Sequence, residues 1–114
     1  MSPGEVVLFR FPQTNQSEGK LRPALLLSQM PGPFPDWLVC MISSQQRHFI
    51  PEFDELVDVT ETDFVSSGLK LVSVIRVARL AVVEESMLVG SIGKISDERL
   101  TRIKLRLSDW VKSG

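Results

Sequence analysis

The chain has 114 residues, 43% hydrophobic and 24% charged, with 13 bases against 14 acids for a net charge of −1. That length supports a single domain, residues 1–114, with a modest core. No apolar run reaches the roughly 18 residues of a membrane span, and one cysteine, Cys40, excludes an internal disulfide.

The opening Met-Ser-Pro-Gly-Glu lacks the basic and apolar segments of an export signal, so the expected location is the cytoplasm. A near-neutral charge argues against nucleic acid until its distribution is read. Residues 50–69 hold six acids (Glu52, Asp54, Glu55, Asp58, Glu61, Asp63) and no Lys or Arg, and setting these aside leaves the remainder at +5. Six bases flank candidate strands: Arg10, Lys20, Arg22, Arg47, Arg76 and Arg79. Such a chain can present a local positive groove.

In chain order, residues 5–11 alternate as a first strand, with Val6, Leu8 and Arg10 opposite Val7, Phe9 and Phe11. Pro12 ends it, and a polar loop carrying Glu18 and Gly19 follows. Residues 21–28 (Leu-Arg-Pro-Ala-Leu-Leu-Leu-Ser) read as a buried strand. Pro23 belongs at a strand's beginning or edge because it has no N–H for a ladder, and it biases Arg22 toward extended backbone. A permanently charged guanidinium on such a rigid element suits a phosphate or carboxylate. The Pro-Gly-Pro-Phe-Pro run at 31–35 is a turn-rich connection. Residues 37–42 make a third strand, ending in the polar turn Ser43-Ser44-Gln45-Gln46-Arg47-His48. Residues 55–59 form a short strand, and the β-branched stretch 70–83 holds one or two more.

At the C-terminal end the period changes. Ser96 is a plausible N-cap, with Asp97 and Glu98 in the first turn. Leu100, Ile103, Leu107, Trp110 and Val111 follow at helical spacing, while Arg102, Lys104, Arg106 and Lys112 fall on a solvated polar face. Short strands plus one terminal helix predict a mainly β fold, a small curved antiparallel barrel or half-barrel lidded by that helix.

One His and one Cys cannot assemble a typical zinc set, and the acidic stretch offers only a carboxylate site for magnesium. There is no Gly-rich phosphate loop and no nucleophile elbow. His48 is the single side chain whose ordinary pKa lies near neutrality. The segments Arg22-Pro23-Ala24 and Ser43-Ser44-Gln45 resemble motifs of toxin ribonucleases. The RNA cleavage which that resemblance implies asks for less without metal: the ribose 2′-hydroxyl attacks the adjacent phosphorus, and the protein holds the attack line and stabilises charge. Arg22 supplies a charged fork for the phosphoryl oxygens, and Ser43 or Ser44 a hydroxyl donor.

Several motifs together resemble the MazF/PemK family of toxin ribonucleases. They are Gly4-Glu5-Val6-Val7, then Arg22-Pro23-Ala24-Leu25-Leu26-Leu27-Ser28, then the turn Ser43-Ser44-Gln45. Gly68-Leu69-Lys70 with Ser73-Val74-Ile75-Arg76, Ile92-Gly93 and the terminal helix complete the order, from Gly4 to about Leu107. The resemblance implies an SH3-like barrel, usually a two-fold dimer with its RNA groove where the subunits meet. It implies a sequence-selective, metal-independent endoribonuclease of a type II toxin–antitoxin pair, acting on single-stranded RNA and inhibited by a cognate antitoxin whose tail occupies the groove. Arg22 and Ser43 match the family's catalytic residues, with Ser where many members have Thr. Lys20, Ser44, Gln45, Arg47 and Arg76 are expected to support RNA binding, and Glu18 and His48 are the two candidate proton acceptors. Neither cofactor nor metal is expected. The rival expectation is a catalytically inactive barrel that binds nucleic acid or a peptide.

Overall fold

The structure, a computed structural model, describes residues 1–10 and 20–114. Six strands form one antiparallel sheet: β1 (Glu5–Arg10), β2 (Leu21–Gln29), β3 (Asp36–Ser43), β4 (Glu55–Val57), β5 (Ser73–Glu84) and β6 (Leu88–Lys94). Among the described residues two α-helices complete the fold, α1 (Phe64–Ser67) and α2 (Asp97–Ser113). The order across the sheet is β4-β5-β3-β2-β1-β6. Within the sheet β1 to β3 and β5 match the predicted strands to within a few residues. β4 stops at Val57, two residues short of expectation, and the 70–83 stretch contributes one continuous strand that begins only at Ser73. β6 is the strand that the sequence pattern did not separate, because its two glycines leave no clean alternation.

Both faces of the central strands are covered, which is why their sequences read as unbroken apolar runs. On one face Val6, Leu25, Leu27, Cys40, Ile42 and Ile75 pack with Ile95 and Ile103. On the other, Val7, Phe9, Ala24, Leu26, Trp37, Val39 and Val83 make a second cluster. Truncating a fully buried side chain such as Leu25 to Ala costs about 2–5 kcal/mol. Burial also pushes the Cys40 thiol up to about 12, so it stays a protonated hydrophobe.

The barrel does not close through strand pairing, since β4 and β6 are opposite edges of the sheet. Instead α1, directly after β4, lies on β6. A Cβ on Gly93 would stand 2.2 Å from the Ser66 carbonyl oxygen, and one on Gly68 2.1 Å from the Ile92 carbonyl oxygen. Glycine at both positions therefore lets two backbones touch, and Ser66 Oγ adds a hydrogen bond to the Lys94 carbonyl at 3.1 Å.

Helix α2 starts where predicted: the Ser96 hydroxyl accepts the Arg99 N–H at 3.2 Å. Ile103 is fully buried, with Leu100 and Leu107 packed around the same cluster, so this helix lids one face. Trp110 is half exposed and meets Phe53 edge-to-face with ring centroids 5.8 Å apart.

The basic side of α2 differs from the solvated face expected of it. Arg99 is buried, donating from Nε to Asp63 at 2.8 Å and from Nη1 to Glu55 at 2.9 Å. Arg102 reaches Glu55 at 2.8 Å, and Arg106 bonds the same carboxylate. The cause is topological: β4 and α1 carry the acidic stretch under the helix, where helical periodicity alone sees no partner. Hydrogen bonding by Arg99 holds the Asp63 carboxyl at about 2, against the opposing effect of its burial. Most of the acidic stretch is therefore committed to the fold.

Candidate active site

Arg22 and Ser43 sit on neighbouring strands. Ala24 pairs with Met41, and that register carried to the strand ends brings Arg22 opposite Ser43. Residues that face each other across an antiparallel pair share a side of the sheet, so both side chains leave the same face. They line a cleft of about 470 Å³. Its walls also hold Ser44, Gln45, His48, Lys70, Ser73, Arg76 and Arg79, with Leu21, Pro23, Met41, Ile42, Leu69 and Leu71 supplying apolar surface. The lining contains four bases and no Asp or Glu among the described residues. Such a cleft concentrates anions.

The approach of β5 has a local cause. Met41 pairs with Arg76 and Cys40 with Leu80, which leaves Val77, Ala78 and Arg79 without partners on β3. This wide bulge re-aims the strand. Asp54, buried in the acidic stretch, holds it: one carboxylate oxygen accepts the Val77 N–H and the other the Ile50 N–H, each at 3.0 Å. Arg76, the last paired residue before the bulge, and Arg79 within it both line the cleft.

The turn after β3 is equally specific. Ser43 Oγ accepts the Gln45 N–H at 3.0 Å and lies 3.0 Å from His48 Nδ1. A 3-10 turn at Gln46–His48 brings the imidazole back over Ser43, with the His48 N–H on the Gln45 carbonyl. Partial desolvation, then the charges of Arg76, Arg47 and Arg79, hold His48 below the ordinary imidazole range. Neutral imidazole is therefore the resting form at pH 7.

Of the sequence-predicted residues, Arg22, Ser43, Ser44, Gln45, His48 and Arg76 share this cleft. Lys20 is exposed outside its lining, and Arg47 reaches it only through its charge on His48. Glu18 lies outside the described residues, as does Phe11 at the end of the expected first strand. Trp37 is buried in the core and donates its indole N–H to Glu85 at 3.2 Å. Lys70 was missing from the expected site, and Arg79 was counted only among the six bases of a local positive groove. Lys70 sits in a loop and Arg79 in the bulge, and strand alternation gives neither a direction. A base inside a β-branched run was the available signal for Arg79.

A family profile described as "PemK-like, MazF-like toxin of type II toxin-antitoxin system" matches residues 2–111. The chain belongs to this MazF/PemK toxin family. Solved structures share its fold. MazF in a MazE-MazF crystal structure from Deinococcus radiodurans aligns with a TM-score of 0.71 at 19% identity, covering 100% of this chain and 97% of that one. The Mycobacterium tuberculosis toxin MazF-mt6 gives 0.68 at 16% identity, covering 95% and 96%. An endoribonuclease solved with its cognate antitoxin from a mycobacterial species gives 0.67 at 9% identity, covering 98% and 95%. No curated protein sequence matches this MazF/PemK chain. No helix among its described residues is long and apolar enough to cross a membrane.

Proposed function

We propose that this MazF/PemK chain is a sequence-selective, metal-independent endoribonuclease that cleaves single-stranded RNA by attack of a ribose 2′-hydroxyl on the adjacent phosphate. The observation that carries the reading is the shared cleft, where Arg22 and Ser43 come together on one sheet face with Lys70, Arg76 and Arg79 around them. Arg22 is the electrostatic clamp: a planar fork that never loses its charge and meets two phosphoryl oxygens at once. Ser43 places a hydroxyl beside the same phosphate. Fixed donors of this kind, aimed at developing charge, are each worth about 3–4 kcal/mol of barrier.

Single strands fit the lining because unstacked bases can pack on apolar surface while cations meet the backbone. Leu21 and Leu71 are 44% and 65% exposed at the cleft wall and provide it. Ser44 and Gln45 present polar groups for base edges. In the cell we place the protein in the cytoplasm, as a single-domain homodimer held in check by a cognate antitoxin. The apolar side chains left exposed on the far half of β5, Leu80 and Val82, support a subunit contact.

The test is cleavage of a mixed-sequence single-stranded RNA by purified protein in EDTA, with Arg22→Ala and Ser43→Ala alongside. Loss of at least about 100-fold in each is expected, the usual effect of removing one charge-stabilising donor. Full activity in Arg22→Ala would remove the assigned site, and RNA binding without cleavage at high protein concentration would favour the inactive-barrel alternative.

A further inference from the structure

Arg22 and Ser43 leave one requirement of the reaction without an owner: something must receive the 2′-hydroxyl proton. Arginine cannot be that group, because its pKa exceeds about 12. The cleft holds no described carboxylate, and His48 is the single described group in it that titrates near neutrality. We propose that Ser43 and His48 form a proton relay, in which the Ser43 oxygen takes the 2′-hydroxyl proton while passing its own to His48 Nδ1. This rests on the nuclease reading above and assigns its missing base.

The hydrogen-bond inventory supports that direction of transfer. A serine hydroxyl has one hydrogen and two lone pairs. The Gln45 N–H occupies one lone pair at 3.0 Å. With the neutral Nε2–H tautomer of His48, which the relay requires, the Ser43 hydrogen is directed at Nδ1, 3.0 Å away. The second lone pair then remains, on an atom that lines the cleft. A neutral hydroxyl is a weak base alone, and a partner that removes its proton as it accepts another makes it competent. His48 acts on substrate only through Ser43, so it is a positioning residue.

The step balances. The 2′-oxygen forms its bond to phosphorus as its proton moves to Ser43 and the Ser43 proton to Nδ1. The bond from phosphorus to the 5′-oxygen breaks, leaving a 2′,3′-cyclic phosphate. The departing 5′-oxygen takes a proton from water, and the imidazolium returns one to the hydroxide that remains.

Among the described residues the charges acting on His48 are positive, Arg76 and Arg79 from β5 and Arg47 from its own turn, and Lys70 and Arg22 share the cleft lining. In the free protein partial desolvation, then the charges of Arg76, Arg47 and Arg79, favour the deprotonated imidazole. A bound phosphate group offsets them, which raises the proton affinity of His48 at the point where it must accept.

Single-turnover rates between pH 4.5 and 9 test this for wild type, His48→Ala and His48→Asn, with Arg22→Ala as the marker of the nuclease reading. The relay predicts an acid limb in the wild type, displaced to higher pH in kcat than in kcat/KM, because kcat reports the complex. Both His48 variants should lose about 100-fold or more in kcat, with KM within about twofold and no limb. Asn keeps a hydrogen-bond partner for Ser43 but takes no proton. Full rate in His48→Asn would therefore overturn the relay, as would a wild-type limb that survives in His48→Ala. In both cases a dead Arg22→Ala enzyme leaves the nuclease reading standing, whereas no cleavage by wild type removes both. An activity-free readout uses the one histidine in the chain, whose NMR titration belongs to His48 alone. Its midpoint should rise in Ser43→Ala and on adding a 2′-deoxy oligonucleotide; a midpoint unmoved by both would overturn the proposal.

Discussion

Replacing Arg99 by Met tests how the fold is held and why the acidic stretch is unavailable to RNA. The guanidinium is buried and bonds Asp63 and Glu55, whose side chains are only 4% and 6% exposed. Met keeps the volume and removes the charge, leaving buried Asp63 without its guanidinium and Glu55 with Arg102 and Arg106 alone. Breaking a buried pair in this way costs about 3–5 kcal/mol. Part of that figure follows from Asp63 alone: a carboxyl held at about 2 rather than 3.8 contributes about 2 kcal/mol at neutral pH. Because the folded value is the lower one, this contribution is complete above the ordinary pKa and is lost as pH falls toward 2. In Arg99→Met the sign reverses, since burial without the guanidinium raises the Asp63 pKa and acid then relieves the variant. Urea unfolding followed by tryptophan fluorescence should show a gap of about 3–5 kcal/mol at pH 7 that narrows by more than about 1 kcal/mol at pH 3. A gap under about 1 kcal/mol at pH 7, or an equal gap at both pH values, would refute the reasoning.

Gly93→Ala forces a Cβ into the α1 backbone, 2.4 Å from the Ser67 carbonyl carbon, and is expected to lower stability by about 1–3 kcal/mol in thermal unfolding. Asp54→Asn turns one acceptor into a donor that faces an N–H of Val77 or Ile50, so it should cost about 1–3 kcal/mol in urea unfolding and disturb RNA cleavage through Arg76 and Arg79. Arg79→Ala removes one cation from the cleft, and the slope of log affinity for single-stranded RNA against log salt should flatten by about 0.7 for each phosphate that Arg79 neutralises in the wild type.

The parts of the fold that depend on local pattern were legible. Alternation on β2 separates Ala24 and Leu26 from Leu25 and Leu27, and the two sets do enter different clusters. The Ser96 cap and the apolar stripe of α2 were likewise written in residue spacing. What spacing cannot carry is which distant segments meet. The acidic stretch and the arginines of α2 each look like solvated charge until topology stacks one on the other. The backbone contact of Gly93 with α1 leaves no side-chain signal at all. In the site, Arg22 was legible because Pro23 restricts its backbone, and Ser43 through the family motif. The Ser43–His48 bond, within a six-residue turn, was within reach of spacing alone, but a turn's direction is set by its backbone geometry rather than by residue type. Lys70 and Arg79 depend on a loop and a bulge, where period-2 reasoning stops.

The central claim is that the substrate's own 2′-hydroxyl attacks phosphorus in the cleft that Arg22 and Ser43 share. A single 2′-deoxy substitution at the cleaved nucleotide, in an otherwise unchanged RNA assayed in EDTA, tests it most directly. The account predicts that cleavage at that site stops while binding persists, and that the all-ribose RNA yields 2′,3′-cyclic phosphate and 5′-hydroxyl ends. Continued cutting of the 2′-deoxy substrate at the same site would contradict it.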